Sequence, residues 1–145
     1  MKIYIGSDHA GFKLKDKIKG WLDQHKINYE DLGNTIFNPQ DDYPDYALKV
    51  AQKVTKNKGL GILICGSAQG MCITANKVKG IRAVIPHSVK ETVLSREHNN
   101  ANVLCLSGWD TSFALSTKMI QKFIHTKFSK EKRHLRRINK IKKLE

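Results

Sequence analysis

The feature that most limits how this chain can fold is a regular alternation of short apolar runs with amphipathic segments. Five runs rich in branched residues are separated by stretches whose apolar side chains recur at helical spacing, such as Leu14, Ile18 and Leu22. Runs of this kind are typical of strands buried on both faces, and the intervening stretches are typical of crossover helices. We therefore expect an α/β fold, a three-layer α/β/α Rossmann-like domain with a five-stranded parallel sheet.

The positions of these elements follow from the same pattern. The predicted strands comprise residues 3–5, 27–32, 60–65, 81–85 and 103–106. Helices are expected between the first three strands and near residues 67–78, 89–98 and 111–126, with a polar loop over residues 33–44. At 145 residues the chain has the size of one domain. Its apolar runs fall short of the ~18 residues that span a bilayer. The apolar stretch after Lys2 is too short for a secretory signal and lacks a small-residue cleavage site. We therefore expect a cytoplasmic protein without membrane association.

The positive charge is concentrated near the end of the sequence. The net charge is +13, but residues 1–117 hold 15 Lys and Arg against 11 Asp and Glu, whereas residues 118–145 hold 11 against 2. Phe123 and Phe128 are the only aromatic residues in that basic stretch, which does not favour nucleic acid as a partner. We divide the chain into an α/β domain over residues 1–127 and a basic helical tail over residues 128–145, part of the same domain. The tail is predicted to dock on a partner surface or to end in disorder.

Two turns at predicted strand ends carry the candidate chemistry. Ligands of open parallel sheets bind at the carboxyl ends of strands, which points to Asp8 and His9 after the first strand and to residues 65–70 after the third. Small residues in the second turn allow a ligand to approach the backbone, and the N–H groups of the following helix should make the Cys65 thiol ionise more readily. The alternatives are a helix cap for Asp8 and a small buried hydrophobe for Cys65.

The remaining candidates have plainer alternatives. Cys65, Cys72 and Cys105 are an odd set without a CxxC pair, so the thiols are expected to be reduced and no zinc site is predicted. His98 and Asn99 precede the fifth strand, where the alternative is a polar helix end with a left-handed asparagine.

Five segments closely resemble one family in order and spacing. They are GSDHAGF (6–12), DYPDYA (42–47), GILICGS (61–67), ANKVKGIRA (75–83) and SREHNNANVL (95–104). The family comprises the type B ribose-5-phosphate isomerases and the galactose-6-phosphate isomerases, and the resemblance extends from residue 2 to about residue 138.

This resemblance implies an aldose-ketose isomerase that interconverts ribose 5-phosphate and ribulose 5-phosphate in the non-oxidative pentose phosphate pathway. It implies proton transfer through an enediolate, without a metal or other cofactor, in a homodimer or dimer of dimers with active sites between subunits. The alternative substrate is a hexose 6-phosphate, such as allose or galactose 6-phosphate. Galactose-type enzymes divide their site residues between two different subunits, whereas this chain carries a complete set, which favours a homo-oligomer.

The resemblance also assigns roles to residues. Cys65 matches the catalytic base, Ser67 a hydroxyl that handles the sugar oxygens, and His98 the imidazole that opens the sugar ring. The residues expected to contact the substrate are Asp8, His9, Tyr43, Gly66, Ala68, Gln69, Gly70, Asn99, Arg133 and Arg137. The resemblance assigns the phosphate contacts among them to His9, Arg133 and Arg137.

Three positions depart from the family pattern. Gln69 is bulkier and more polar than the small apolar residue common at its position. Ala68 stands where many relatives carry glycine, and its side chain disfavours a positive φ there. Trp109 stands where some relatives supply a further arginine to the phosphate.

Overall fold

Five parallel strands form one sheet in the order β2-β1-β3-β5-β4 in the computed structural model, which describes residues 2–145. The strands are β1 (Ile3–Ser7), β2 (Tyr29–Asp31), β3 (Leu60–Cys65), β4 (Ala83–Val84) and β5 (Val103–Ser107). The helices are α1 (Phe12–Gln24), α2 (Tyr43–Asn57), α3 (Gln69–Ala75), α4 (Val89–Asn99), α5 (Phe113–His125) and α6 (Lys132–Lys142). The predicted α/β class and the five-stranded parallel sheet are confirmed.

The strand order places a switch point at the centre of the sheet. The chain leaves β1 for its neighbour β2, then crosses back so that β3 pairs with the other side of β1. In parallel sheets such a reversal opens a crevice beyond the carboxyl ends of the two central strands. The turns that follow β1 and β3 therefore meet at one edge, which we call the carboxyl edge.

Each face of the sheet is covered by helices. Alternate side chains of β3 point to opposite faces, so Ile62 and Ile64 join one core cluster while Leu63 and Cys65 join the other. The first cluster includes residues of α1 and α5, such as Ile18 and Phe123, and the second includes residues of α2 and α3. Truncating a fully buried isoleucine of this kind to alanine typically costs about 2–5 kcal/mol, which indicates how strongly the helices are held to the sheet.

Several elements are shorter than predicted. Strand β2 covers three residues and β4 two, although longer runs were expected for both. Before β4, the backbone N–H of Ile81 donates to Val78 O in a turn and that of Arg82 donates to the Asn102 side chain, so neither joins the ladder. Helix α3 covers Gln69–Ala75 rather than residues 67–78. The apolar runs thus predict where the strands lie but not where they end, because N–H groups near the strand ends form hydrogen bonds in local turns instead of in the sheet.

The basic tail forms helix α6 and packs on its own chain. His134 and Ile138 are buried, and the segment before the helix is tied to α4 by a bond from the Ser129 N–H to Glu97 O, 3.1 Å long. Leu135, Ile141 and Leu144 remain exposed. No helix within residues 2–145 is long and apolar enough to cross a membrane.

Candidate active site

The turn after β1 rests directly on the end of β3. The backbone N–H of Asp8 lies 3.4 Å from Ile64 O, and Asp8 Oδ1 accepts a 3.0 Å bond from the Gly11 N–H. A Cβ on Gly11 would stand 2.2 Å from Ile64 O, so only glycine allows this approach. The helix-cap interpretation of Asp8 is therefore correct in part, because its carboxylate orders the turn. That role also holds the carboxylate at the switch point.

Asp8 is almost completely buried at this point. Burial raises the pKa of its carboxyl, while the N–H of Gly11 and the neighbouring His9 act in the opposite direction. A buried carboxyl beside a crevice is suited to binding the hydroxyl groups of a ligand, because water does not compete for it.

His9 is held by an acidic residue from the loop that precedes α2. Asp41 Oδ1 lies 3.0 Å from the His9 backbone N and 2.7 Å from its Nδ1. This hydrogen bond is the main cause of a raised pKa for the His9 imidazole. Since Nδ1 is engaged, Nε2 is the ring nitrogen left to contact an anionic ligand.

A buried network fixes the loop that carries Asp41. Asn34 Nδ2 donates to Asp41 Oδ2 at 2.8 Å, and Ser7 Oγ donates to Asn34 Oδ1 at 3.3 Å. Lys15, which is fully buried, donates to Asn34 O and to Asp31 Oδ1. Sequence reasoning missed all of these residues, since Asp41 is separated from His9 by 32 positions and spacing along the chain carries no signal of the contact.

Cys65 is the last residue of β3 and is almost completely buried. Burial raises the pKa of its thiol, and the N–H groups of Met71, Ala68 and Gly70 act against that effect. The expectation that this thiol ionises more readily than a free cysteine is wrong for the chain as it stands, because desolvation outweighs the donors. The packing interpretation of Cys65 holds, since the residue lies in the core. Its role as the base stays a prediction.

Ala68 adopts the conformation that its side chain was predicted to avoid. Its φ is 68° and its ψ is −16°, in the left-handed region, and its side chain is fully buried. A non-glycine residue in this region costs about 1–2 kcal/mol. The turn from β3 into α3 requires that conformation if the following N–H groups are to face Cys65, and the surrounding core holds the residue in it. The prediction failed because it considered the residue alone.

Two aromatic rings flank the turn after β3. A Cβ on Gly66 would stand 2.5 Å from the Trp109 ring, and a Cβ on Gly70 would stand 2.6 Å from the Tyr43 ring. Small residues at these positions therefore allow close ring contacts, which places Tyr43 at the site as expected. Ser67 and Gln69 are exposed and line a cavity of about 200 Å³ at the carboxyl edge.

The other candidates lie at the opposite edge of the sheet. His98 and Asn99 end α4, and only three residues later Asn102 O accepts a 2.8 Å bond from the Gly61 N–H, near the start of β3. A five-residue strand is roughly 15 Å long, so His98 and Cys65 are separated by at least about that distance along the sheet. The expected left-handed asparagine at this helix end is Asn100, with φ 48°.

His98 is grouped with the tail. Its ring stacks on that of His134 with centroids 4.4 Å apart, and His134 Nδ1 lies 2.8 Å from Ser129 Oγ. Burial lowers the pKa of His134, with further lowering by His98 and by the charges of Arg133 and Arg137. Both arginines are exposed on α6 near this histidine pair. His134 was not singled out from the sequence, although it lies between two predicted phosphate ligands.

The structure therefore divides the predicted site into two groups. The carboxyl-edge group comprises Asp8, His9, Tyr43, Cys65, Gly66, Ser67, Ala68, Gln69 and Gly70. The amino-edge group comprises His98, Asn99, Arg133 and Arg137. Within residues 2–145, no three His, Cys, Asp or Glu side chains gather closely enough to hold a metal ion.

Known proteins match this chain over nearly all of its length. A family profile described as Ribose/Galactose Isomerase matches residues 3–141. A probable ribose-5-phosphate isomerase B of Mycoplasma genitalium is 48% identical over 141 residues, which is 96% of this chain and 92% of that protein. Ribose-5-phosphate isomerase B of Mycobacterium tuberculosis is 38% identical over 140 residues, 96% of this chain and 86% of that protein.

Solved structures agree with these matches. The crystal structure of the Mycoplasma genitalium ribose-5-phosphate isomerase B with bound ribulose-5-phosphate has a TM-score of 0.93 at 46% identity, covering 99% of this chain and 95% of that one. The corresponding Thermotoga maritima structure has a TM-score of 0.93 at 43% identity, covering 98% and 97%. The chain belongs to the ribose/galactose isomerase family.

Proposed function

We propose that this chain interconverts ribose 5-phosphate and ribulose 5-phosphate, with Cys65 as the base that moves the proton. The observation that carries the proposal is the buried Cys65 thiol at the switch point, facing backbone N–H donors and lying beside the Asp8 turn. The family and the named isomerase relatives support this substrate class. We also propose a cytoplasmic location, since all three cysteines are free thiols.

The reaction needs one base that works at two adjacent carbons. The Cys65 thiolate takes the proton from C2 of the open-chain aldose, and the electron pair of that C–H bond forms the C1–C2 double bond of an enediolate. Negative charge moves onto the carbonyl oxygen at C1. The thiol then returns a proton to C1, while the hydroxyl proton at O2 moves to O1, so atoms and charge balance.

The turn after β3 supplies what the intermediate requires. The N–H groups of Ala68, Gly70 and Met71 surround Cys65, and the helix start they belong to favours negative charge. Donors oriented in advance toward a developing oxyanion each typically lower a barrier by about 3–4 kcal/mol. The left-handed Ala68 makes this orientation possible. Asp8 is placed to bind sugar hydroxyls, and Ser67 to handle the sugar oxygens.

Completing the site requires a second copy of the chain. Ring opening is assigned to His98 and the phosphate to His9, Arg133 and Arg137, yet the amino-edge group lies far from Cys65 within one chain. We infer a homodimer, or a dimer of dimers, in which the amino-edge group of one subunit meets the carboxyl-edge group of its partner. Exposed Ile73 on α3, with Leu135, Ile141 and Leu144 on the tail, offers apolar surface for this contact.

The first test is isomerase activity on ribose 5-phosphate, allose 6-phosphate and galactose 6-phosphate with EDTA present throughout. We expect ribose 5-phosphate to have the highest kcat/KM and EDTA to leave the rate unchanged. A higher kcat/KM for a hexose phosphate would contradict the proposed substrate. We would then attribute the preference for a hexose to the cavity beside Ser67 and Gln69. Inhibition by EDTA would overturn the metal-free mechanism.

Subunit complementation tests the shared site. Cys65→Ala and His98→Ala chains should each be inactive, but a mixture that exchanges subunits should recover about a quarter of wild-type activity, since half of the dimers are mixed and each holds one intact site. The matched control is Cys65→Ala mixed with Asp8→Asn. Both of these changes lie in the carboxyl-edge group, so that mixture should gain nothing. Equal recovery of isomerase activity in both mixtures would contradict an active site shared between two subunits.

A further inference from the structure

A basic cleft lies at the edge of the sheet opposite Cys65. It has a volume of about 570 Å³ and is lined by the end of α2, the segment before β4, the end of α4 and the tail. Five cationic side chains line it, and no Asp or Glu is among its lining residues in the part of the chain that the structure describes. The five are Lys58, Lys79, Arg82, Arg96 and Lys142.

The two arginines of the basic cleft donate hydrogen bonds to backbone carbonyl groups and, within residues 2–145, form no ion pair with a carboxylate. Arg82 donates from Nε to Asn100 O at 2.9 Å and from Nη1 to Gly80 O at 3.2 Å. Arg96 donates to the backbone oxygens of Thr126 and Ala101. A guanidinium has five N–H groups, and these bonds use only some of them.

The two guanidinium groups are partly desolvated and repel each other. Burial lowers the pKa of Arg82 and of Arg96, and the charge of Arg82 lowers that of Arg96 further. Cations removed from water without a counter-charge are unfavourable, and a bound anion relieves both the desolvation and the repulsion. An arginine fork also matches the geometry of phosphate oxygens.

An acidic residue of the same chain already lies near the rim. Lys79 Nζ donates to the backbone O of Glu145 at 3.1 Å, and the Glu145 charge raises the pKa of Arg82. Glu145 is exposed and does not line the basic cleft. The Glu145 charge therefore offsets part of the Arg82 charge at the rim.

We propose that the basic cleft binds a small molecule carrying two or more phosphate groups, at a site separate from the isomerase centre. Five cations around one cavity exceed what a single phosphate can contact. The volume lies in the range of sites that hold whole metabolites rather than single ions.

Calorimetric titration with ATP and with pyrophosphate tests the proposal on the full chain. Charge reversal of the three lysines of the basic cleft (Lys58→Glu, Lys79→Glu and Lys142→Glu, combined) should weaken ATP binding about a hundredfold. The matched control reverses three exposed lysines elsewhere, Lys17→Glu, Lys90→Glu and Lys118→Glu, and should change the affinity by less than about threefold, as distant exposed charges are screened. Glu145→Gln should strengthen binding.

Further readouts separate this site from the isomerase centre. Saturating ribose 5-phosphate should leave the ATP affinity unchanged, and the variant of the basic cleft should keep the wild-type far-UV circular dichroism. The proposal is overturned if ATP and pyrophosphate do not bind, if both triple variants weaken binding equally, or if ribose 5-phosphate displaces ATP. Binding of single-stranded DNA with no binding of ATP would instead assign this edge to nucleic acid.

Discussion

The two edges of the sheet differ in how they hold functional residues. At the carboxyl edge, Cys65 and Asp8 are almost completely buried, and the turns that carry them touch through backbone contacts. At the amino edge, Arg133 and Arg137 project from the surface of α6, and only His134 and Ile138 anchor that helix. The first region is fixed by close packing, whereas the second presents charge on an exposed helix surface.

This difference corresponds to two kinds of task. Proton transfer between adjacent carbons tolerates little displacement of the base, which suits a residue at the end of a central strand. Binding of a phosphate tolerates longer and more flexible side chains, because charge-assisted bonds act over a wider range of positions. We therefore expect changes at Cys65 to affect kcat and changes at the exposed arginines of the amino edge to affect KM.

The largest effect is expected for Cys65→Ser. A serine hydroxyl is a much weaker acid than a thiol, so kcat should fall about a thousandfold while KM stays within about threefold. Steady-state kinetics on ribose 5-phosphate measures both constants. Cys72→Ser is the control and should retain activity. Wild-type kcat in Cys65→Ser would show that another group moves the proton.

A smaller effect, on KM, is expected when both tail arginines are removed. Arg133→Ala combined with Arg137→Ala eliminates two charge-assisted contacts, which should raise KM about a hundredfold and change kcat little. Arg136→Ala removes a charge from the same helix and should leave KM nearly unchanged. A fall in kcat without a change in KM would contradict the division of tasks between the edges.

Asp41→Asn tests whether Asp41 keeps the His9 imidazole protonated by raising its pKa. Its bond to Asp41 raises the His9 pKa, so the imidazolium that binds phosphate persists below that raised pKa and is lost as pH rises through it. The variant should lose the imidazolium nearer pH ~6.5, and its KM should therefore be about tenfold higher at pH 7.5 but near wild type at pH 5.5. The pH dependence of KM measures this. A pH-independent increase would indicate only a displaced loop.

The smallest effect is expected for Ala68→Gly. Glycine relieves about 1 kcal/mol of left-handed strain, but it removes a buried methyl group worth about 0.8 kcal/mol. The free energy of unfolding from urea titration should therefore change by less than about 1 kcal/mol. Gly11→Ala is the contrasting variant, because its Cβ meets Ile64 O and should destabilise strongly. Strong destabilisation by Ala68→Gly would show that its methyl group packs more tightly than its φ suggests.

Sequence reasoning predicted what depends on periodicity and on strand ends. The alternation of apolar runs predicts the sheet, and the rule for parallel sheets brings Asp8 and Cys65 together. The predictions for the φ of Ala68 and for the pKa of the Cys65 thiol were wrong, since both quantities depend on the surrounding core. Because His98 precedes the fifth strand, the same pattern places it at the opposite edge of the sheet from Cys65.

The residues that were missed act through long-range contacts. Asp41 and Asn34 orient His9 from a loop that the sequence marks only as polar, and His134 meets His98 after the tail folds back on α4. Such contacts depend on how segments close in space, and a single sequence shows no period or motif for them. Candidate acids in a polar loop beside a predicted site are the most useful positions to examine.

The contact between Gly11 and Ile64 limits how this enzyme could be adapted to longer sugars. With no space for even one methyl group there, any side chain at position 11 would push the turn after β1 away from β3. Directed evolution toward a new substrate should therefore accumulate changes in the rim, at Tyr43, Gln69 and Trp109, where side chains are exposed. Libraries confined to those three positions would sample new specificities while leaving the base and its donors in place.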